Sequence, residues 1–463
     1  MRILLTLPLD RSHHRAAPDL GLGYLAAALQ QGGHSVEIEL SRASLSSPDA
    51  FVARLRRDAY DLIGIKTFSC QVRATRATLD LIRRAAPDAT IVLGGSHVSA
   101  DPEHTLALFP QADYGLRGEA ERGLPLLVRA LEEGRVGQEA ADIPGLIWRD
   151  GDATVVNAPS YVHDLDALPL PAWDLMPPKG FPDLPFNGYS RRHPIAPMIL
   201  TRGCPSRCTF CGAGIINGHR LRSRSAENVM SEIRLLTGQY GVREIQFYDS
   251  NCAHPRGPLR QVMRQIIAEG IDITWCAPNG IRVDSVDAEL VRLMKESGCW
   301  QVNVGIESGS PRILRQIRKG ISLDAVRRAV RLLRDGGIEV VGFFMMGFAG
   351  ETREEIRQTI DLAMELPLTG ASFSIYSPLP GTEDYLRLSR EGQDGLGVLD
   401  TLDFVSYENN LSALPAAELR AIQRRAYLRF HLRPRVLQSF LRNLNTLAKV
   451  RLVGQQAWQK LVD

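Results

Sequence analysis

The chain has 463 residues, of which 44% are apolar and 23% charged, and its 55 basic and 52 acidic side chains leave a formal net charge of +3. That length predicts two or three domains, and the composition excludes a disordered, collagenous or disulfide-scaffold chain. The balanced charge excludes a global field that would recruit nucleic acid or membrane.

The first eight residues hold one Arg and an apolar run about half as long as a signal-peptide core, so they read as a buried strand. No window approaches the roughly 18 apolar residues of a membrane span, and a cytoplasmic protein is expected. From there to about residue 135, β-branched runs at 3–7, 36–40, 62–67 and 90–93 alternate with helical patterns at 24–31, 50–57, 75–84, 103–108 and 124–132. This alternation predicts a doubly wound parallel sheet with ligands at the carboxyl ends of its strands. Two such ends stand out, Thr67-Phe-Ser-Cys-Gln71 and Gly94-Gly-Ser-His97. Gly21-Leu-Gly23 is a broken dinucleotide fingerprint, with Ala at position 26, so no NAD site is expected.

Nine of the 27 prolines fall between Pro159 and Pro197, which predicts an extended, semi-rigid linker packed across both domains. A second series follows, with strands at 198–201, 244–248, 273–277, 301–305, 339–345 and 371–376 and helices at 228–237, 259–268, 288–295, 323–333 and 354–364. Six βα units suit an open partial barrel with its site at the strand carboxyl ends. The tail from Ala416 has ten Lys/Arg and two Asp/Glu, with Leu419, Ile422, Ala426 and Phe430 at helical core spacing, then Val436, Phe440, Leu444 and Leu447 beyond Pro434. It reads as a helical cap with a basic outer face; a surface for an anionic substrate or membrane is the competing reading. The expected divisions are 1–140, a linker 141–195, a barrel 196–390 and a basic helical region 391–463.

Seven cysteines are too few and too odd in number for a secreted framework, which points to metal or redox chemistry. Cys204, Cys208 and Cys211 fall within eight residues, directly after the first strand of the second series. Thiolates at these intervals ligate zinc or an iron–sulfur cluster. Structural zinc needs four closed ligands and the candidate fourth is His219, whereas a [4Fe–4S] cluster held by three cysteines leaves one iron open, and the spacing favours that cluster. Cys70, Cys252, Cys276 and Cys299 are expected to be small buried residues, with a hydrogen-atom relay as the alternative for Cys252. His97 alone would be a core or capping histidine. Arg282 either salt-bridges Asp284 or holds a carboxylate or phosphate.

Cys204, Cys208, Phe210 and Cys211 match CxxxCxΦC with Φ aromatic, and here the chain resembles the radical S-adenosylmethionine (SAM) superfamily. Three further segments match that family in order: 303–311 around Glu307 and Ser308, 343–352 around Gly347 and Glu351, and 376–382 beginning at Tyr376. The resemblance implies SAM contacts from Phe210, Tyr248, Asp249, Glu307, Ser308, Gly347, Glu351 and Tyr376, with Asp249 supplying a carboxylate near the SAM ammonium. The family's cobalamin-linked branch often has an acidic–acidic–asparagine element where this chain has Asp249-Ser-Asn251.

Residues 1–140 resemble the cobalamin-binding domain preceding many such barrels. This implies cobalamin contacts from Leu20, Gly21 and Tyr24, from Thr67, Ser69 and Cys70, from Gly94, Gly95 and His97, and from Gly118 and Glu119. The turn around His97 implies contact with the cofactor's nucleotide tail. No Asp-x-His-x-x-Gly is present, so no histidine is implied below cobalt, and the 67–71 loop would face the lower side of the corrin.

The implied cofactors are a [4Fe–4S] cluster, SAM and cobalamin, and the implied activity is methylation of an unactivated carbon or phosphorus centre through a 5′-deoxyadenosyl radical. The alternative is ring formation or rearrangement, as in the anaerobic porphyrin cyclase. A tRNA methylthiotransferase would carry further clustered cysteines, and a non-catalytic cobalamin-binding protein is the remaining class. The expected partners are a small-molecule substrate of natural-product, lipid or tetrapyrrole type and a one-electron reductant such as flavodoxin or ferredoxin. No nucleic acid is expected, and the basic tail is the place for peripheral membrane contact.

Overall fold

The computed structural model describes residues 1–9, 17–40, 47–182, 190–254, 257–391 and 410–443. These fall into two compact units: the described parts of 1–177, 203–222 and 378–403, and those of 178–202, 223–377 and 404–463.

The first unit is built on β1 (Arg2–Thr6), β2 (Ser35–Glu39), β3 (Leu62–Lys66), β4 (Thr90–Gly94) and β5 (Tyr114–Leu116), parallel and in the order β2-β1-β3-β4-β5. The order reverses between β1 and β3, where such sheets open a crevice for ligands. Leu4, Ile63, Ile91 and Leu93 enter one buried cluster with Phe51, Val98 and Phe109, as expected for central parallel strands covered on both faces. The helices are α1 (Leu20–Gln31), α2 (Pro48–Asp58), α3 (Val72–Ala85), α4 (Ser96–Ala100), α5 (Thr105–Leu108), α6 (Gly123–Glu132) and α7 (Val136–Glu139). The Asp19 carboxylate caps α1 by accepting from the Leu22 amide.

Two further strands, β6 (Leu146–Asp150) and β7 (Ala153–Val156), lie in the span read as linker and extend this sheet antiparallel. They form a tight hairpin across Gly151-Asp152, with Gly151 at φ 58°; this Gly-Asp dipeptide is the turn signal that proline counting obscured. The proline-rich stretch is divided between the units. Ala172 donates its amide to the Gly23 carbonyl on α1, while His193 Nε2 lies 2.9 Å from the Phe181 carbonyl in the second unit.

The second unit begins with β8 (Ile195–Met198). The two-residue strands β9 (Thr201–Arg202) and β10 (Arg222–Ser223) flank, in sequence, the segment 203–222, which carries α8 (Ala213–Asn217) and belongs to the first unit. Then follow α9 (Ala226–Gly238), β11 (Glu244–Phe247), α10 (Leu259–Ala268), β12 (Thr274–Ile281), α11 (Ala288–Glu296), β13 (Cys299–Glu307), α12 (Pro311–Gln316), α13 (Leu323–Asp335), β14 (Glu339–Met346), α14 (Arg353–Glu365) and β15 (Gly370–Ile375). The six long strands are all parallel, ordered β15-β14-β13-β12-β11-β8, which is the open six-unit series expected. Side-chain caps start the helices at Ser225, Asp287 and Ser322, and Thr352 with Glu355 forms a capping box on α14.

After β15 the chain returns to the first unit as α15 (Glu383–Arg390), and the second unit ends with α16 (Ala416–His431) and α17 (Pro434–Asn443). On α16 the buried positions are Leu419, Gln423, Ala426 and Phe430. Gln423 takes the core place expected of Ile422 because its amide donates to the Phe373 carbonyl on edge strand β15, 2.6 Å away. Val436 is buried as expected; Leu444, Leu447 and the side chain of Phe440 lie outside the described residues. Among the described residues no helix is long and apolar enough to cross a membrane.

Candidate functional site

In the first unit, the segments singled out from sequence gather at the carboxyl ends of β3, β4 and β5. The Thr67 amide donates to the Gly94 carbonyl at 2.9 Å, and the His97 amide reaches the Thr67 carbonyl at 3.3 Å, so the two loops are stitched together. Gly95 has φ 99°, and a Cβ there would lie 2.5 Å from the Thr67 carbonyl oxygen, so only glycine permits this approach. Ser69 Oγ lies 3.1 Å from His97 Nδ1, and the ring packs edge-on to Phe109. His97 Nε2 is buried without a hydrogen-bond partner, and burial lowers the imidazole pKa. A neutral ring with one satisfied and one orphaned nitrogen is a place for a ligand's polar group.

Lys66 pairs with Asp19 at 2.8 and 3.0 Å beside Gly21, while Leu20 is half-buried and Tyr24 points into the core. Cys70 is exposed, contrary to expectation. It sits in the short turn Ser69–Gln71, beyond the end of β3, where the chain has left the core.

The segment 203–222 presents Cys204 and Cys208 half-buried and Cys211 exposed, and none of the seven cysteines is in a disulfide. Cys204 donates its amide to the Gly218 carbonyl, and Cys211 to that of Cys208. His219 lies over Gly214, where a Cβ would be 2.2 Å from the ring. Among the described residues no three His, Cys, Asp or Glu side chains converge as a single metal ion requires. Zinc needs such convergence, whereas in an iron–sulfur cluster each thiolate binds a different iron. The half-buried Phe210 lies between Thr209 and Cys211.

In the second unit, Tyr248 and Asp249 follow β11, Glu307 ends β13, Gly347 and Glu351 follow β14 and Tyr376 follows β15, so all lie at one edge of the sheet. Asp249 is buried, and its carboxylate accepts from the amides of Leu200 and Thr201 and from Thr201 Oγ1 at 2.6–3.1 Å. Burial pushes its pKa up to about 6 against those donors. It thereby fixes the chain where β8 leads toward the cysteines. The Tyr248 carbonyl accepts from Asn279, and its hydroxyl meets Gln246.

Glu307 has φ 67° at a register shift in β13, a strained backbone of the kind that clusters at functional sites. Its carboxylate pairs with Lys319 at 2.6 Å, both nearly buried. A Cβ at Gly305 would lie 2.7 Å from Glu307 Oε1 and 2.8 Å from Lys319 Nζ. Sequence reasoning missed Lys319, twelve residues away on the loop before α13. Arg282 donates to the carbonyls of Lys319 and Gly320 and is bidentate to Asp284, so the expected salt bridge is present. Ser308 Oγ lies 3.1 Å from Thr359 Oγ1.

Glu351 Oε2 accepts from the amides of Gly347 and Phe348 at 2.6 and 3.2 Å, and the rings of Phe348 and Tyr376 stack at 4.6 Å. Burial pushes the Glu351 carboxyl up to about 7. Its Oε1, like Asn303 Oδ1 on β13, is buried without a partner. These acceptors suit a ligand rich in N–H donors, such as an adenine ring or an ammonium group. Cys252, Cys276 and Cys299 are fully buried, and burial raises all three thiols.

Residues 198–363 match the Radical SAM superfamily, and residues 13–128 match the B12 binding domain. An uncharacterized methyltransferase of Pyrococcus horikoshii is 32% identical over 450 residues, covering 94% of each chain. The cytidylyl-2-hydroxyethylphosphonate methyltransferase of Streptomyces wedmorensis is 29% identical, covering 82% of this chain and 79% of its own. The structure of the radical SAM methyltransferase TsrM from Kitasatospora setae, with cobalamin and a [4Fe–4S] cluster bound, superposes with a TM-score of 0.71 at 22% identity. It covers 84% of this chain and 78% of that one, a likeness of fold.

Proposed function

The chain belongs to the radical SAM superfamily, in its cobalamin-dependent branch, and from that premise we propose that it is a methyltransferase for a carbon or phosphorus centre lacking nucleophilic character. The observation that carries this reading is the three-thiol segment, set out of the core while the other cysteines of the second half are buried. When bound, the [4Fe–4S] cluster, SAM and cobalamin supply radical generation and methyl carriage.

The chain's own residues do the rest. Cys204, Cys208 and Cys211 would hold the cluster, which would supply a binding site for SAM. At the second sheet's edge, the orphaned acceptor of Glu351 would take SAM's donors, Glu307 and Ser308 would face the ribose, and the stacked Phe348–Tyr376 pair would border the adenine; Asn303, within β13, offers a second orphaned acceptor. Asp249 holds the strand exit from which the cysteine segment departs. At the first sheet's edge, the Thr67–Gln71 loop would face the lower side of the corrin, and His97 Nε2 would meet the cofactor's nucleotide tail. Excluding oxygen and bulk solvent from these buried edges limits side reactions of a radical.

In net terms, one substrate C–H bond becomes C–CH3, two SAM molecules yield methionine, 5′-deoxyadenosine and S-adenosylhomocysteine, and an external one-electron donor of flavodoxin or ferredoxin type supplies two electrons. In this reading residues 1–140 hold the corrin, 196–390 hold SAM, and the protein is cytoplasmic with a small-molecule substrate and no nucleic-acid partner. Exposed Leu428, Leu432, Leu437 and Leu441, on or between two helices bearing six arginines, offer a face for peripheral contact with an anionic lipid surface.

The test is to incubate reconstituted full chain anaerobically with methyl-deuterated SAM, cobalamin, a reductant and a small-molecule extract. A product carrying the labelled methyl group supports the reading. A rearranged or cyclised product without label, and without S-adenosylhomocysteine, replaces it with the ring-forming alternative.

A further inference from the structure

The segment 203–222 has almost no apolar anchor. The residues in it that are buried are Gly203, Thr209, Gly218 and Arg222, none with an apolar side chain. Its fully buried contacts are therefore polar, and among them is an ion pair. Arg222 meets both carboxylate oxygens of Glu119 at 2.6 and 2.8 Å, with each side chain only 3% exposed. Glu119 Oε2 also accepts from the Val162 amide at 2.8 Å. Arg222 donates to the Val162 carbonyl and to that of Asn217, both at 2.7 Å, and its guanidinium lies over the Tyr161 ring.

Asn217 is the last residue of α8, the helix that follows Cys211, so the pair grips the cysteine segment from its carboxyl side. At the other end Gly203, at φ 83°, passes so close to the Arg220 carbonyl that a Cβ would lie 2.2 Å away, which closes the segment into a loop. A second, weaker clasp joins Thr209 to Asp384 at the start of α15. A bidentate, dry pair fixes both distance and orientation, and breaking one partner leaves a buried charge uncompensated.

We propose that Glu119 and Arg222 are positioning residues for the iron–sulfur cluster: they seat the three-thiol loop on the cobalamin-type unit. Glu119 thereby acts on the cysteines, through Arg222, rather than on the corrin. The proposal rests on the reading of Cys204, Cys208 and Cys211 as cluster ligands. It also makes cluster retention depend on a residue of the loop after β5 that lies 85 or more positions before any ligand.

The test uses the full chain with its cluster reconstituted anaerobically, comparing wild type with Glu119→Gln and Glu119→Asp. Three quantities are read: iron loss to a chelator, the electron paramagnetic resonance spectrum of the reduced cluster with and without SAM, and cobalamin affinity. Glu119→Gln is expected to lose iron about tenfold faster, in the range found for outer-shell changes at metal sites. It should also show an altered spectrum and leave cobalamin affinity within about twofold, since no corrin contact is lost. Glu119→Asp, which keeps the charge, should recover most of the iron retention.

Wild-type iron loss and spectrum in Glu119→Gln overturn the proposal, and a fall in cobalamin affinity alone returns Glu119 to the corrin. Should Glu119→Gln fail to fold, Arg222→Lys is judged by the same readouts and outcomes. A wild-type chain that takes up no cluster overturns the reading of the thiols itself, a failure distinguishable from the others.

Discussion

The cysteines of the 203–222 segment and those of the second sheet differ in what surrounds their sulfur atoms. Cys204, Cys208 and Cys211 are half-buried or exposed, on a loop held by polar contacts. Cys252, Cys276 and Cys299 are sealed in the core, where burial raises their thiols and keeps them protonated. A metal ligand must be a thiolate. The same residue type is thus prepared for ligation in one region and for packing in the other, and the surroundings decide which.

The largest effect expected from this contrast is on the cluster itself. Cys208→Ala should bring iron content, cluster absorption and turnover to background, whereas Cys276→Ala should leave all three intact. Cluster loss in both variants would erase the distinction.

Next is the buried pair at the second sheet's edge. Lys319→Met strands the Glu307 carboxylate and should cost about 3 kcal/mol in denaturant unfolding. A cost near zero would show that Glu307 reaches water.

Glu351 gives a pH-dependent version of the same contrast. Its folded pKa of about 7 lies above its ordinary 4.5, so the folded chain keeps a proton that the unfolded chain releases. Stability should therefore fall as pH rises between roughly 4.5 and 7 and be flat above, by about 3 kcal/mol in all for this group. Glu351→Gln should remove that slope, measured as unfolding midpoint against pH. The smallest effect is the stability cost of Cys276→Ala, about 1 kcal/mol for the lost buried sulfur.

Local patterning made much of the fold legible. Both parallel series were visible because buried strands and amphipathic helices each carry their own period. β5, β6 and β7 were not, since β5 is three residues long and the β6–β7 hairpin carries Arg149 and Asp150 in place of a clean apolar run. The apolar period on α16 misplaced Ile422 for Gln423, because only the neighbouring strand reveals an unpaired carbonyl needing an amide.

At the site, the cysteine spacing and the glycine-rich turns were legible because backbone geometry and ligation both constrain residue type locally. The partners of Glu307 and Glu119 were not. Lys319 and Arg222 are ordinary basic residues until the fold brings them to 2.6 Å. Nor does any pattern reveal that a loop following the second sheet's first strand packs with the first unit.

The most direct test of the central claim is the pair of SAM-derived products formed anaerobically by reconstituted full chain with cobalamin, a reductant and its substrate. The account predicts both 5′-deoxyadenosine and S-adenosylhomocysteine, each lost in Cys208→Ala. Formation of neither by the wild-type chain would contradict it.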